Sequence, residues 1–186
     1  IRVKEIIIKP VYIVQQPADQ QENKGGTATF TVKASGTGPF TYRWKRNGIF
    51  ITTEQENPGL TIRNADDDDL GFYQVEIKNL KSSTISRAAH LYFNKPPRLL
   101  YQDADQEVVS GKSVKFRVVA DGTQPLTYSW TKGGAVIPRA INATYSIPVT
   151  KGSDAGNYRV LIKNVAGQIE SQPMHLKVII PPTILV

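Results

Sequence analysis

Cysteine is absent from this 186-residue chain. That removes disulfides, thiol nucleophiles and zinc–thiolate sites together. Small secreted eukaryotic domains usually lean on disulfides, so the absence tilts toward a reducing compartment or toward bacterial or viral assembly. Long apolar runs are also missing. No segment approaches the ~20 residues that span a membrane, and nothing at the start reads as a signal peptide. A sustained helical period is absent too, as are a Gly-x-Ser-x-Gly elbow, a phosphate loop, a His-Glu-x-x-His motif and a paired-carboxylate site. The sequence therefore reads as no enzyme, with no catalytic residues, no cofactor and no metal. The chain opens at Ile1, not at methionine, and reads as a fragment or processed product.

What is present is a repeat. Asp-Leu-Gly-Phe-Tyr-Gln-Val, Asp69 to Val75, returns as Asp-Ala-Gly-Asn-Tyr-Arg-Val, Asp154 to Val160. Upstream, Gly25-Gly-Thr-Ala-Thr-Phe-Thr-Val32 matches Gly111-Lys-Ser-Val-Lys-Phe-Arg-Val118. Both alternate apolar and polar residues after the second position, the period-2 mark of a half-buried strand. Trp44 and Trp130 follow in Phe-Thr-Tyr-Arg-Trp and Leu-Thr-Tyr-Ser-Trp. Each comes after a turn rich in glycine or proline, Gly36-Thr37-Gly38-Pro39 or Gly122-Thr123-Gln124-Pro125. Asn47-Gly48 and Gly133-Gly134 then suit tight hairpins, because type I′ turns need positive φ. Short strands holding Leu60 and Ile62, or Tyr145 and Ile147, precede the Asp-x-Gly-x-Tyr motifs, and Ala89–Phe93 and Met174–Val178 close the halves. The predicted fold class is all-β, in two small domains.

This order of strand, Trp, hairpin, Leu-x-Ile, Asp-x-Gly-x-Tyr and closing strand resembles the immunoglobulin-like sandwich, in particular its intermediate-set branch. The resemblance covers nearly the whole chain, twice, and implies two tandem immunoglobulin-like β-sandwiches without disulfides. In disulfide-bonded members one cysteine sits a dozen residues before the tryptophan and the other two residues after the tyrosine. Val32 and Val75 hold those positions here, as do Val118 and Val160. The resemblance implies that each pair packs against Trp44 or Trp130. Losing a bridge costs ~2–5 kcal/mol, while each buried valine returns ~1.5–3 kcal/mol. Tyr73 and Tyr158 take the tyrosine-corner position, with Asp69 and Asp154 fixing the turn before it. All of these are expected to be scaffold, not site.

The joints repeat as well. Glu5–Val14, Tyr92–Tyr101 and Lys177–Val186 each lead from a closing strand to an opening one through prolines, with no Gly/Ser spacer. The expected organisation is the end of a preceding element over 1–9, one domain over 10–95 and a second over 96–180. Residues 181–186 read as a linker and the start of a further domain, so the whole reads as part of a semi-rigid string.

The remaining chemistry is sparse. His90 and His175 lie one domain apart and are expected to face solvent. Asp66-Asp67-Asp68-Asp69 has the charge for calcium but reads better as a solvated loop, since Lys151-Gly152-Ser153-Asp154 breaks the pattern. Arg43, Lys45 and Arg46 surround Trp44, yet the alternation turns Tyr42 and Trp44 inward, which argues against nucleic acid. Asn142-Ala143-Thr144 is one glycosylation motif. Net charge is +7, with 13 basic and 10 acidic residues over 1–95 and 10 and 6 over 96–186. The excess is shared between the halves and favours anionic partners in a salt-dependent way.

Residues 96–116 and Pro125–Trp130 are similar to cysteine-free immunoglobulin-like repeats of bacteriophage virion proteins, such as the highly immunogenic outer capsid protein of T4-like phages, and of bacterial surface proteins. The resemblance implies a non-enzymatic structural and interaction module on a virion surface, as a capsid decoration or a tail or baseplate accessory. Its implied partners are other proteins of a larger assembly, with weak attachment to bacterial surface glycans; neither nucleic acid nor membrane insertion is expected. The alternatives are a bacterial cell-surface stalk or adhesin, a eukaryotic intermediate-set array, and an accessory domain of an enzyme. Binding, where it occurs, is expected on loops at one end of each sandwich: Gly36, Thr37, Gly38 and Pro39; Gly122, Thr123, Gln124 and Pro125; Asn164, Val165, Ala166 and Gly167.

Overall fold

The computed structural model describes residues 7–182. It divides into two compact units between Asn94 and Lys95. Each is a sandwich of β-strands with one short 3₁₀ turn among the described residues, Asp67–Asp69 in the first and Gly152–Asp154 in the second. The outer parts of the expected flanking elements, residues 1–6 and 183–186, lie outside the described residues.

The first unit runs β1 (Tyr12–Gln15), β2 (Gln20–Glu22), β3 (Ala28–Phe30), β4 (Lys33–Ser35), β5 (Thr41–Arg46), β6 (Ile49–Phe50), β7 (Leu60–Ile62), β8 (Gly71–Lys78), β9 (Ser83–Ile85) and β10 (Ala89–Phe93). One layer has the order β2-β10-β8-β5-β6, with β9 on the free part of β8. The other holds the pairs β1-β4 and β3-β7. Every pairing is antiparallel except β2 on β10.

The second unit repeats this with β11 (Arg98–Gln102), β12 (Gln106–Val109), β13 (Val114–Asp121), β14 (Thr127–Lys132), β15 (Ala135–Val136), β16 (Thr144–Ile147), β17 (Gly156–Asn164), β18 (Gly167–Glu170) and β19 (Met174–Ile179). Its layers are β12-β19-β17-β14-β15, with β18 on β17, and β11-β13-β16. Here β13 is one unbroken strand where the first unit has β3 and β4, separated at Thr31 and Val32.

The alternation in sequence decides what is inside. On β5, Tyr42 and Trp44 are buried while Arg43 and Lys45 are partly exposed. On β8, Tyr73, Val75 and Ile77 are fully buried. Register sets Trp44 opposite Val75 and Trp130 opposite Val160, so each tryptophan lies beside the valine two residues after the tyrosine. Val32 and Val118 join the same cores at 3% and 2% exposure. Phe30 stacks on Tyr73 at 4.6 Å, and Phe116 on Tyr158 at 4.9 Å. Apolar packing thus fills the place where a bridge stands in disulfide-bonded relatives of the fold.

The hairpins follow the turn chemistry of the sequence. Asn47 and Gly48 have φ of 50° and 85°, and Gly133 and Gly134 have 56° and 87°. Two consecutive positive φ values match the right-handed twist of the flanking strands.

Candidate functional site

In the second unit the two loops expected to carry recognition meet each other and grip the chain itself; in the first, the one expected loop, Gly36–Pro39, meets Asn79 in the same way. In the second unit Lys95 donates its N–H to Thr123 Oγ1 at 2.8 Å, and Thr123 N–H donates to the Lys95 carbonyl at 3.0 Å. Asn164 Nδ2 donates to both Lys95 O and Thr123 O, at 2.7 and 2.8 Å. Asn164 Oδ1 in turn accepts the N–H groups of Ala166 and Gly167. The first unit repeats the pattern. Lys9 N–H donates to Thr37 Oγ1 at 2.9 Å, Thr37 N–H to Lys9 O, and Asn79 Nδ2 to Lys9 O and Thr37 O. Both clamps read only backbone, so any non-proline residue fits before the proline.

Two glycines make the approach possible. Gly36 and Gly122 have φ of 131° and 145°. A Cβ on Gly36 would stand 2.5 Å from Pro10 O, and one on Gly122 would stand 3.0 Å from Pro96 O. Positive φ and backbone contact together demand glycine.

Gly36, Thr37, Gly122, Thr123, Asn164, Ala166 and Gly167 are half-buried by this arrangement. Gly38, Pro39, Gln124, Pro125 and Val165 remain exposed. Lys9, Lys95 and Asn79 were not singled out from sequence, although the repeat offset pairs Asn79 with Asn164 and Lys9 with Lys95. The signal was present as spacing and was obscured because the segments after the two asparagines, Leu-Lys-Ser and Val-Ala-Gly, share no residue.

At the turn before the tyrosine, Tyr73 Oη donates to Asp69 O at 2.5 Å and Tyr158 Oη to Asp154 O at 2.7 Å. Asp69 and Asp154 close their turns by accepting the N–H groups of Asp66 and Lys151. Burial pushes the Tyr158 hydroxyl up to about 12, with smaller contributions from Tyr145 and Asp154. Burial likewise raises Tyr73, where Arg46 acts in the opposite sense. In the acidic loop, Asp66 caps Asp68 N, Asp67 pairs with Lys24, and Asp69 pairs with Arg46 at 3.3 Å. No group of three metal-ligating side chains occurs among the described residues.

A feature that the sequence reading missed ties down the valines. Ser86 and Ser171 are buried at 4% and 2% exposure. Their hydroxyls accept the N–H groups of Val75 and Val160, both at 3.0 Å.

The outer face of the five-strand layer differs between the units. In the first, Phe72, His90 and Tyr92 form a stack, with centroids 4.6 Å apart for Phe72–His90 and 5.2 Å for His90–Tyr92. Beside it, Arg43 lies over the Phe50 ring at 3.6 Å and Lys45 at 4.4 Å. In the second, His175 Nδ1 lies 3.0 Å from Asn157 Oδ1, and Lys177 pairs with Glu107 at 2.9 Å. Thus His90 is partly covered and His175 exposed.

With this geometry in place, the comparisons with known proteins are direct. The immunoglobulin-domain family profile matches residues 9–79 and 96–164. The chain belongs to the immunoglobulin-domain family. It is 37% identical over 92 residues to the Decoration protein of Escherichia phage T5, covering 48% of this chain and 56% of that protein. It is 29% identical over 175 residues to Endoglucanase C of Cellulomonas fimi, covering 89% of this chain and 16% of the relative. It is 28% identical over 185 residues to the muscle M-line assembly protein unc-89 of Caenorhabditis elegans, covering 87% and 2%. The chain therefore spans just over half of the phage relative and a small part of the other two. Among solved structures, a three-immunoglobulin-domain titin fragment superposes with a TM-score of 0.70 at 20% identity, covering 95% of this chain and 68% of that one. At that identity the likeness concerns fold alone.

Proposed function

We propose that this chain is a non-enzymatic structural and interaction module exposed on a bacteriophage virion, as a capsid decoration or a tail or baseplate accessory. The observation that carries the reading is the 37% identity to a phage Decoration protein. The absence of cysteine agrees with assembly in a reducing cytoplasm. The partners on this reading are other proteins of the assembly, with weak attachment to bacterial surface glycans through the exposed tips Gly38-Pro39, Gln124-Pro125 and Val165. Loops on a rigid scaffold are where such folds place recognition.

A second reading is a stalk or adhesin segment at a bacterial cell surface; its support is a bacterial relative, an endoglucanase, that matches 89% of the chain. Immunogold labelling separates the two, using antibodies raised against the purified chain on intact virions and on whole bacteria of the source. Label on virions is the expected result. Label confined to uninfected cells would replace the first reading with the second, and label on neither would overturn both.

A further inference from the structure

The two units share one fold, so they act as controls for each other. Where their equivalent outward positions differ, the difference is not demanded by the sandwich. On the outer face of the layer β2-β10-β8-β5-β6 the first unit carries Phe72, at 55% exposure, and Tyr92, at 37%. The second unit has Asn157 and Lys177 in those places, immediately before Tyr158 and two residues after His175. Phe50 on β6 lies opposite Lys45 on β5, as Val136 on β15 lies opposite Thr131 on β14. Arg43 and Lys45 correspond to Ser129 and Thr131. One unit thus gathers aromatic rings and cations where the other holds small polar groups and paired charges.

Glu76 stands opposite Arg43 in the register of β5 and β8, and Lys78 takes both Glu76 and Glu54 as partners. Glu76 pairs with Lys78 at 3.4 Å. Arg43 Nε donates to the Thr52 carbonyl at 3.2 Å, and the side chain lies with Lys45 against Phe50. Neither cation has a carboxylate partner among the described residues.

The ring geometry selects among anionic and neutral partners. The rings of Phe72 and His90 are inclined by 19° across β8 and β10, and those of His90 and Tyr92 by 30° along β10, so the rings face one another. A saccharide stacks on ring faces, and most of these are covered by the neighbouring ring. Exposed rings on the same sheet face as a guanidinium and an ammonium group fit a segment that offers carboxylates with apolar contacts between them. Aromatic residues and arginine are also the side chains enriched in protein interfaces.

We infer that the outer face built by Arg43, Lys45, Phe50, Phe72, His90 and Tyr92 is a docking surface for an acidic polypeptide segment of a neighbouring protein. The second unit's equivalent face carries no such site. The inference rests on the reading of the chain as an interaction module and does not depend on which assembly displays it.

The test is an amide chemical-shift titration of the two-domain chain with poly-L-glutamate, and in parallel with a neutral oligosaccharide, cellopentaose. The expected result is that poly-L-glutamate shifts the amides of β5, β8 and β10 and leaves β14, β17 and β19 unmoved. Phe72→Asn, the second unit's own residue, combined with the uncharged Tyr92→Gln removes both exposed rings without adding a cation, and it weakens binding about ten-fold. Arg43→Ser with Lys45→Thr, also taken from the second unit, does the same. Shifts spread over both units, or unchanged by either pair of substitutions, would reduce the effect to net charge and overturn the proposal. Stronger shifts of the same amides by cellopentaose would overturn it in favour of a saccharide site. The titration uses neither virions nor cells, so its failure and a failure of the labelling are separate results.

Discussion

At the scale of the residue, equivalent positions in the two units fill equal places with unequal satisfaction. Trp130 Nε1 donates to Asn142 O at 2.8 Å, whereas the buried Trp44 Nε1 has no partner among the described residues. Both indoles are fully buried, so both lose packing on truncation. Trp130→Phe loses a hydrogen bond as well, and its destabilisation should exceed that of Trp44→Phe by about 1 kcal/mol. Urea unfolding followed by circular dichroism measures this, and equal losses would refute it. Tyr158 gives a pH prediction. Its hydroxyl stands at about 12 in the folded unit against an ordinary 10.0. The neutral form is therefore favoured by folding, so the contribution is complete below pH 10 and is lost as pH rises to about 12. The second unit should lose roughly 1–3 kcal/mol over that window beyond any general alkaline effect. In Tyr158→Phe that alkaline loss is absent, which thermal unfolding between pH 9 and 12 will show.

At the scale of the element, much was legible from spacing. The period-2 runs, the Asn-Gly and Gly-Gly hairpins and the closing strands occupy β3, β5–β6, β8 and β10 and their repeats, because each alternation buries one face. The parallel pairing of β2 on β10 and of β12 on β19 was not legible, since Gln-Gln-Glu and Gln-Glu-Val-Val carry no strong apolar pattern. The serine ties were hidden for a related reason: a lone serine 11 residues after a valine looks like any loop residue until register brings them together. Ser171→Ala leaves the buried Val160 N–H without an acceptor and should cost about 1–3 kcal/mol, with Ser171→Thr milder only where its methyl fits. The clamp is a second device of this scale. Asn164→Ala removes two donated and two accepted bonds, and Gly122→Ala adds strain at φ 145° against Pro96 O. Each should lower the stability of the second unit by about 1–3 kcal/mol and leave the first unchanged. Hydrogen exchange resolved by unit checks this; an equal loss in both units would contradict it.

At the scale of the whole molecule, two cysteine-free sandwiches carry cores of the same plan and surfaces of different character. The expected scaffold positions could be read because a fold repeats what it requires. The aromatic face of the first unit could not, since Phe72, His90 and Tyr92 are separated in sequence and meet only across β8 and β10. Its departure from the repeat was visible in the letters, but a departure becomes meaningful only once the side chain is known to point outward. The loops near Thr37 and Thr123 show the converse. Their turn chemistry was plain, while their role in gripping Lys9 and Lys95 depends on contacts distant in sequence.

The central claim is that these domains bind and do not merely space. Co-sedimentation of the purified chain with intact bacteria and with purified cell wall, at low and high salt, tests it most directly. Binding that survives high salt is the predicted result, because recognition of surface glycans by shaped loops does not depend on long-range charge. Binding lost at high salt would leave only the +7 surface as its cause. No binding at either salt would contradict the account of cell attachment.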